Sequence, residues 1–131
     1  MDVFFGSWKF VKSENFDDYM KAIGVNDELR SVANVVKPVI TISQEEESVV
    51  ITTQTVVSKK ELRFRLGEEF EEESTDGRSC KSVINLEGEK LIQVQKDESK
   101  EITIVREIQD GKLIMTLTLD EVTAVVTFEK V

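Results

Sequence analysis

A chain of 131 residues with 40% hydrophobic side chains can bury about two thirds of its unfolded surface as one domain, with no covalent staple. It has no histidine and a single cysteine, Cys80, which excludes zinc sites of the usual kind, Ser-His-Asp triads, Cys-His pairs and an internal disulfide. With 26 acids against 17 bases the net charge is −9, so nucleic acid is not expected as a partner and membrane contact should be weak or transient.

The first residues, through Trp8, show no basic stretch followed by an apolar one, and no run is long enough to cross a bilayer as a helix, so a cytoplasmic protein is expected. Residues 4–12 alternate Phe4, Gly6, Trp8 and Phe10 with Phe5, Ser7 and Lys9, which predicts a strand with Trp8 as a core plug. The period then changes. Phe16, Tyr19, Met20 and Ile23 recur at helical spacing, Gly24 interrupts, Asn26 can cap a second helix, and Asp27 and Glu28 suit its positive first turn. That helix would carry Leu29, Val32, Ala33 and Val36 inward and stop before Pro38, because the residue before a proline resists the helical region. A helix-turn-helix over about residues 15–37 results.

Everything after Pro38 reads as strand: 39–43, 48–56, 61–66, 69–73, 80–86, 90–96, 101–108, 112–119 and 122–130 are short β-branched-rich segments. They are joined by turn-forming or charged pieces such as Thr75-Asp76-Gly77, Glu87-Gly88-Glu89 and Gln109-Asp110-Gly111, which predicts antiparallel hairpins. With the first strand there are ten, and short links between so many strands favour a closed or nearly closed up-and-down barrel. More than about eight strands leave an interior that side chains do not fill, so a ligand cavity is expected. The fold class is all-β: one domain, residues 1–131, a ten-stranded antiparallel barrel capped by the helix-turn-helix.

Alternation places Ile102, Ile104, Arg106 and Ile108 on one face of their strand. An arginine in an apolar row stays charged, and an unpaired charge in a low-dielectric interior costs several kcal/mol, so it needs an anionic or polar partner. A structural ion pair, a strand-end arginine whose head reaches water, and an arginine inside a cavity meeting a ligand's anionic group all satisfy this. By the same parity Leu113, Met115, Leu117, Leu119, Val122, Ala124, Val126 and Phe128 face inward, and Gln93, Gln95, Thr53 and Thr55 add neutral polar groups. No acid falls on the inward face of these long strands, which argues against a carboxylate pair doing acid-base chemistry, and no catalysis is expected. The acidic runs 45–47 and 68–73 read as solvated turns and strand faces without calcium-loop spacing, and Cys80 reads as a small buried residue.

Gly6-Ser7-Trp8, then Glu14-Asn15-Phe16-Asp17-Asp18-Tyr19-Met20-Lys21 and Gly24-Val25, Lys37-Pro38, Leu66-Gly67-Glu68-Glu69-Phe70, Thr75-Asp76-Gly77-Arg78, Lys81-Ser82 and the C-terminal Phe128-Glu129-Lys130-Val131 closely resemble the intracellular lipid-binding proteins, specifically the fatty-acid-binding protein group. The resemblance runs the length of the chain. It implies a clam-like barrel under two helices, a cytosolic monomer without cofactor or metal, carrying a long-chain fatty acid or similar hydrophobic molecule. Position by position, Phe16, Tyr19, Met20, Val25 and Ala33 match the helical lid and its underside, followed by Pro38. Thr53, Thr55, Val57, Thr75, Asp76 and Arg78 match the portal and upper cavity, while Gln95, Ile104, Met115 and Leu117 complete the lining. Arg106 matches the buried arginine that meets the ligand carboxylate. Many members add an Arg-x-Tyr near the C-terminus, where this chain has Val126-Thr127-Phe128, so the full carboxylate clamp cannot form. Val57 stands where several members have a gating phenylalanine. Arg106 alone resembles the simpler anion site of the intestinal type, or serves another hydrophobic ligand: a retinoid, a bile-acid-like molecule or a less acidic lipid.

Overall fold

The protein is seen in a computed structural model that describes residues 2–28, 30–31, 37–55, 59–73, 79–96 and 100–131. A short 3-10 turn, Asp2–Phe4, leads into β1 (Gly6–Glu14) and α1 (Phe16–Ile23). There follow β2 (Val39–Glu45), β3 (Ser48–Gln54), β4 (Lys59–Phe64), β5 (Phe70–Glu73), β6 (Ser79–Glu87), β7 (Lys90–Lys96), β8 (Glu101–Gln109), β9 (Lys112–Leu119) and β10 (Val122–Lys130). The ten strands form one antiparallel sheet in the order β4-β3-β2-β1-β10-β9-β8-β7-β6-β5, so chain neighbours pair and β1 closes on β10. The sheet's two edges, β4 and β5, share no ladder. Phe64 and Phe70 stack across that opening with ring centroids 5.6 Å apart, making the barrel nearly closed.

The start of the first strand differs from expectation for a local reason. Phe4 turns back in the 3-10 segment, where it is fully buried, and its carbonyl accepts the Trp8 indole N–H at 2.9 Å. Lys130, paired with Trp8 across β1 and β10, holds its ammonium 4.6 Å from the centroid of the indole ring. A side chain at Gly6 would run into Lys130, and the glycine's φ of 123° is one that other residues rarely adopt.

Helix α1 buries Tyr19, Met20 and Ile23 on one face and places Asp17 and Asp18 in its first turn. It ends where Gly24, at φ 94°, donates its N–H back to Lys21, while Val25 N–H reaches the Met20 carbonyl at 2.9 Å. Of the residues expected to form a second helix, 27, 28, 30 and 31 are described and helical, and Arg30 N–H donates to the Asn26 carbonyl at 3.0 Å. The Arg30 guanidinium binds the Val25 carbonyl at 2.9 Å, Asp17 at 3.2 Å, and Asp27, tying that turn to α1.

Helix α1 lies against β10 and β9. Lys100, just before β8, donates to the Ile23 carbonyl at the end of α1, so the helical cap covers the end of the barrel marked by Ile102, Leu119 and Val122. The other end is filled by Phe4, Trp8 and the Phe10–Phe128 pair, packed edge to face with centroids 6.2 Å apart.

Candidate functional site

The ladder registers assemble a wall from residues distant in sequence. Arg106 on β8 lies opposite Leu91 on β7 and Met115 on β9, and Met115 lies opposite Val126 on β10. One level toward the helical cap the row is Gln93, Ile104, Leu117 and Ala124; one level toward the closed end it is Ile108, Leu113 and Phe128. Arg106 is thus deep in the barrel, only 8% exposed, among apolar neighbours. Its Nη1 donates to Gln93 Oε1 at 2.9 Å. Gln93 Nε2 donates in turn to Glu72 Oε1 at 3.0 Å, and Gln95 Nε2 donates to the same oxygen. Burial lowers the guanidinium pKa to about 10, an effect that the Glu72 charge partly opposes. Arg106 therefore stays charged at neutral pH.

This geometry excludes the strand-end reading of the arginine and makes its link to a carboxylate an indirect one. Arg106 is neither at a strand end nor, among the described residues, in direct contact with a carboxylate; Gln93 relays it to Glu72. Glu72 corrects the expectation that residues 68–73 form a wholly solvated face. Pairing of Phe70 with Ser82 and of Glu72 with Cys80 turns Phe70 and Glu72 inward, while Glu69 and Glu71 face out and stay exposed. The alternation around Phe70 carried that signal, but glutamates on both faces hid it. Ser82 was missed as well: it is 1% exposed, cross-strand from Gln95 and Phe70, and its hydroxyl has no hydrogen-bond partner among the described residues.

A cavity of about 430 Å³ is lined by Arg106, Glu72, Thr53, Ile51, Leu62 and Phe70, with Lys60, Glu61, Arg63 and Glu71 toward the opening between β4 and β5. A second depression, about 630 Å³, lies mainly on the outer face over Val83 and Val94, away from this wall.

Of the residues singled out from sequence, Gln95, Ile104, Arg106, Met115, Leu117 and Val126 fall on the β7–β10 wall, and Thr53 faces them from β3. Thr55 follows β3 and is half-buried. Phe128 is buried against Phe10 and belongs to the closed end. Tyr19, Met20 and Val25 are buried in the cap, with Phe16 stacked on Tyr19 at 6.2 Å; burial pushes the Tyr19 phenol up to about 12. Pro38 is apart from the wall, its carbonyl accepting the Phe10 N–H at 3.2 Å. Ala33, Val57, Thr75, Asp76 and Arg78 lie outside the described residues. Cys80 is buried, as expected.

The family model described as lipocalin / cytosolic fatty-acid binding protein matches residues 5–131. Among solved structures, a fatty-acid-binding protein from brain tissue of Drosophila melanogaster is 42% identical, over 96% of this chain and 98% of that one, with a TM-score of 0.91. A Schistosoma mansoni fatty acid binding protein in complex with arachidonic acid is 33% identical over 100% and 98%, with a TM-score of 0.95. Fatty-acid-binding protein 1 of Echinococcus granulosus is 33% identical over 100% and 99%, with a TM-score of 0.96.

Proposed function

The chain belongs to the lipocalin / cytosolic fatty-acid binding protein family, and from that premise we propose that it binds long-chain fatty acids inside its barrel and carries them, with Arg106 orienting the carboxylate. One observation carries the proposal within this chain: among the described residues one guanidinium is buried, that of Arg106, set in a wall of Ile104, Met115, Leu117 and Val126 and lining a cavity that reaches the β4–β5 opening. Burying an acyl tail yields about 0.8 kcal/mol per methylene, so the tail supplies most of the affinity. A charge-assisted hydrogen bond to the head adds roughly 1.5 to 3 kcal/mol and fixes its direction. The ligand-contacting set is the β7–β10 wall with Thr53, beneath Phe16, Tyr19, Met20 and Val25. The carrier is non-enzymatic, monomeric and cytoplasmic in this reading.

A second reading has its own observation. Val126 and Phe128 leave Arg106 without the companion groups of the full clamp, which favours another hydrophobic ligand: a retinoid, a bile-acid-like molecule or a less acidic lipid. Native mass spectrometry of the purified protein separates the two by the mass of any co-purified lipid, followed by calorimetric titration of the delipidated protein with oleate. Retained fatty acid and saturable oleate binding support the first reading. A retained sterol-like or isoprenoid mass, with no oleate heat, replaces it by the second.

A further inference from the structure

The outer face of the barrel carries its charges unevenly. On β6 to β10 the side chains that alternate away from the interior form two adjoining rows of five residues each, one from Val83 to Thr123 and the next from Asn85 to Val125. At their centre Val94 and Ile92 on β7 lie opposite Thr103 and Val105 on β8. None of the ten positions is charged and none is buried, although 33% of the chain's residues are charged. On its β5 side the band dips into the depression of about 630 Å³ over Val83 and Val94, which keeps both side chains reachable from outside. Two ionic rows bound the band. Toward the cap Lys81, Lys96 and Glu101 stand side by side; toward the closed end stand Glu87, Lys90 and Glu107, with Lys90 and Glu107 bridged at 3.4 Å. Three bases and three acids cancel, so this face is neutral while the chain as a whole is at −9.

Such a band holds β-branched apolar area against water, and its shape and charge choose the occupant. Rows of side chains spread over five strands fit another sheet face better than a single acyl chain, which would stay half in water. A second copy of this chain is repelled by the shared negative charge, and it approaches at least cost where that charge is lacking. The registers also make the face complementary to itself. A two-fold axis along the strands between β7 and β8 lays β7 of one copy over β8 of the other: Lys96 over Glu101, Lys90 over Glu107, Ile92 over Val105 and Val94 over Thr103. Every contact is then made twice, and two cross-strand charge pairs become two alternating groups of four. With strands about 4.8 Å apart and outward residues about 6.8 Å apart along them, the band and its ionic rows cover roughly 650 Å² per copy. The pair would bury about 1,300 Å², at the low end for a specific interface. We infer that the outer face of β6–β10 is a self-association surface on which two copies pair weakly and reversibly. The monomer of the carrier reading is the dilute form.

The test is sedimentation velocity of the delipidated protein from about 10 µM to about 1 mM, a range over which a weak pair dissociates on dilution. The wild type is expected to rise in weight-average mass from that of one chain toward that of two. Two double variants address the two-fold. Glu101→Lys with Glu107→Lys sets base over base across it, and Lys90→Glu with Lys96→Glu sets acid over acid. Each alone should associate at least about tenfold more weakly than wild type, whereas their equimolar mixture should pair, because at these positions one copy offers only bases and the other only acids. Far-UV circular dichroism reports whether each variant keeps its sheet. Should one lose it, Val94→Lys, at a position open to water, takes its place with the same loss of pairing expected. A wild type that stays monomeric at about 1 mM, a variant that pairs on its own as wild type does, or a mixture of folded variants that does not pair overturns the inference. Each of these results leaves the carrier reading standing, since the barrel interior takes no part.

Discussion

For Arg106, burial costs more than the nearby Glu72 charge returns, which is why its pKa falls from the ordinary arginine range to about 10. A base whose folded pKa lies below its unfolded one is charged in both states below about pH 10, and there its burial disfavours the fold by a constant amount. The penalty fades as pH rises above about 10, because the folded protein sheds its proton first. Arg106→Gln removes the penalty at neutral pH. Denaturant melts of the apo protein should show stability equal to wild type or higher, and oleate should bind about tenfold to a hundredfold more weakly, with oleyl alcohol changed by less than about threefold. A fall in apo stability, with acid and alcohol weakened alike, would mean that Glu72 depends on the arginine and that the pair is architectural. The arginine was legible in sequence because Ile102, Ile104 and Ile108 share its parity. Glu72 was not, because glutamates occupy both faces around Phe70 and only the register of β5 against β6 separates them.

At the scale of elements, strands bounded by tight turns were legible to the residue. The ranges 90–96, 112–119 and 122–130 coincide with β7, β9 and β10, because Gly88, Asp110-Gly111 and Asp120 take the positive φ values such turns require. The opening between β4 and β5 was not legible, since it depends on two edges failing to meet and leaves no mark in either segment. The helical cap yields two predictions. Tyr19 is the only tyrosine, so tyrosinate absorbance reports it alone, and its midpoint should lie near pH 12 in the folded protein against 10 when denatured. A phenol whose folded pKa is raised stabilises fully below pH 10 and loses that contribution as pH climbs from 10 through about 12; Tyr19→Phe should flatten the fall in stability over that interval. A folded-state midpoint at the denatured value would mean that the α1 face is open to water. Separately, the Lys100 ammonium holds the C-terminal carbonyl of α1 at Ile23, where a cation is favourable. If ligand leaves past this cap, Lys100→Met should release a fluorescent fatty acid about three to ten times faster in stopped flow, matching roughly 1 kcal/mol of lost closure. An unchanged rate would direct exchange elsewhere, with the β4–β5 opening next in line.

For the molecule as a whole, the question is how cargo is handed over. No helix among the described residues is long and apolar enough to cross a membrane, so delivery to a bilayer would be by collision at its surface or by diffusion of released ligand through water. Collision with an anionic surface needs exposed positive charge on the contacting element, worth about 1 kcal/mol per basic residue near the headgroups. The cap supplies little. Its acids Asp17, Asp18, Asp27 and Glu28 face solvent, and Arg30 is engaged by Asp17, Asp27 and the Val25 carbonyl, which leaves Lys21 and Lys37 against them within a chain of net charge −9. Repulsion at long range should therefore outweigh attraction at contact. Transfer of a fluorescent fatty acid to vesicles should proceed at a rate set by release into water, nearly independent of vesicle concentration and of anionic lipid fraction, and little altered by salt. Converting Asp17 and Asp18 to lysine should introduce the missing dependence on both. A wild-type rate that climbs steeply with vesicle concentration and anionic fraction would show that the cap docks despite its charge, and that its apolar side chains govern the contact.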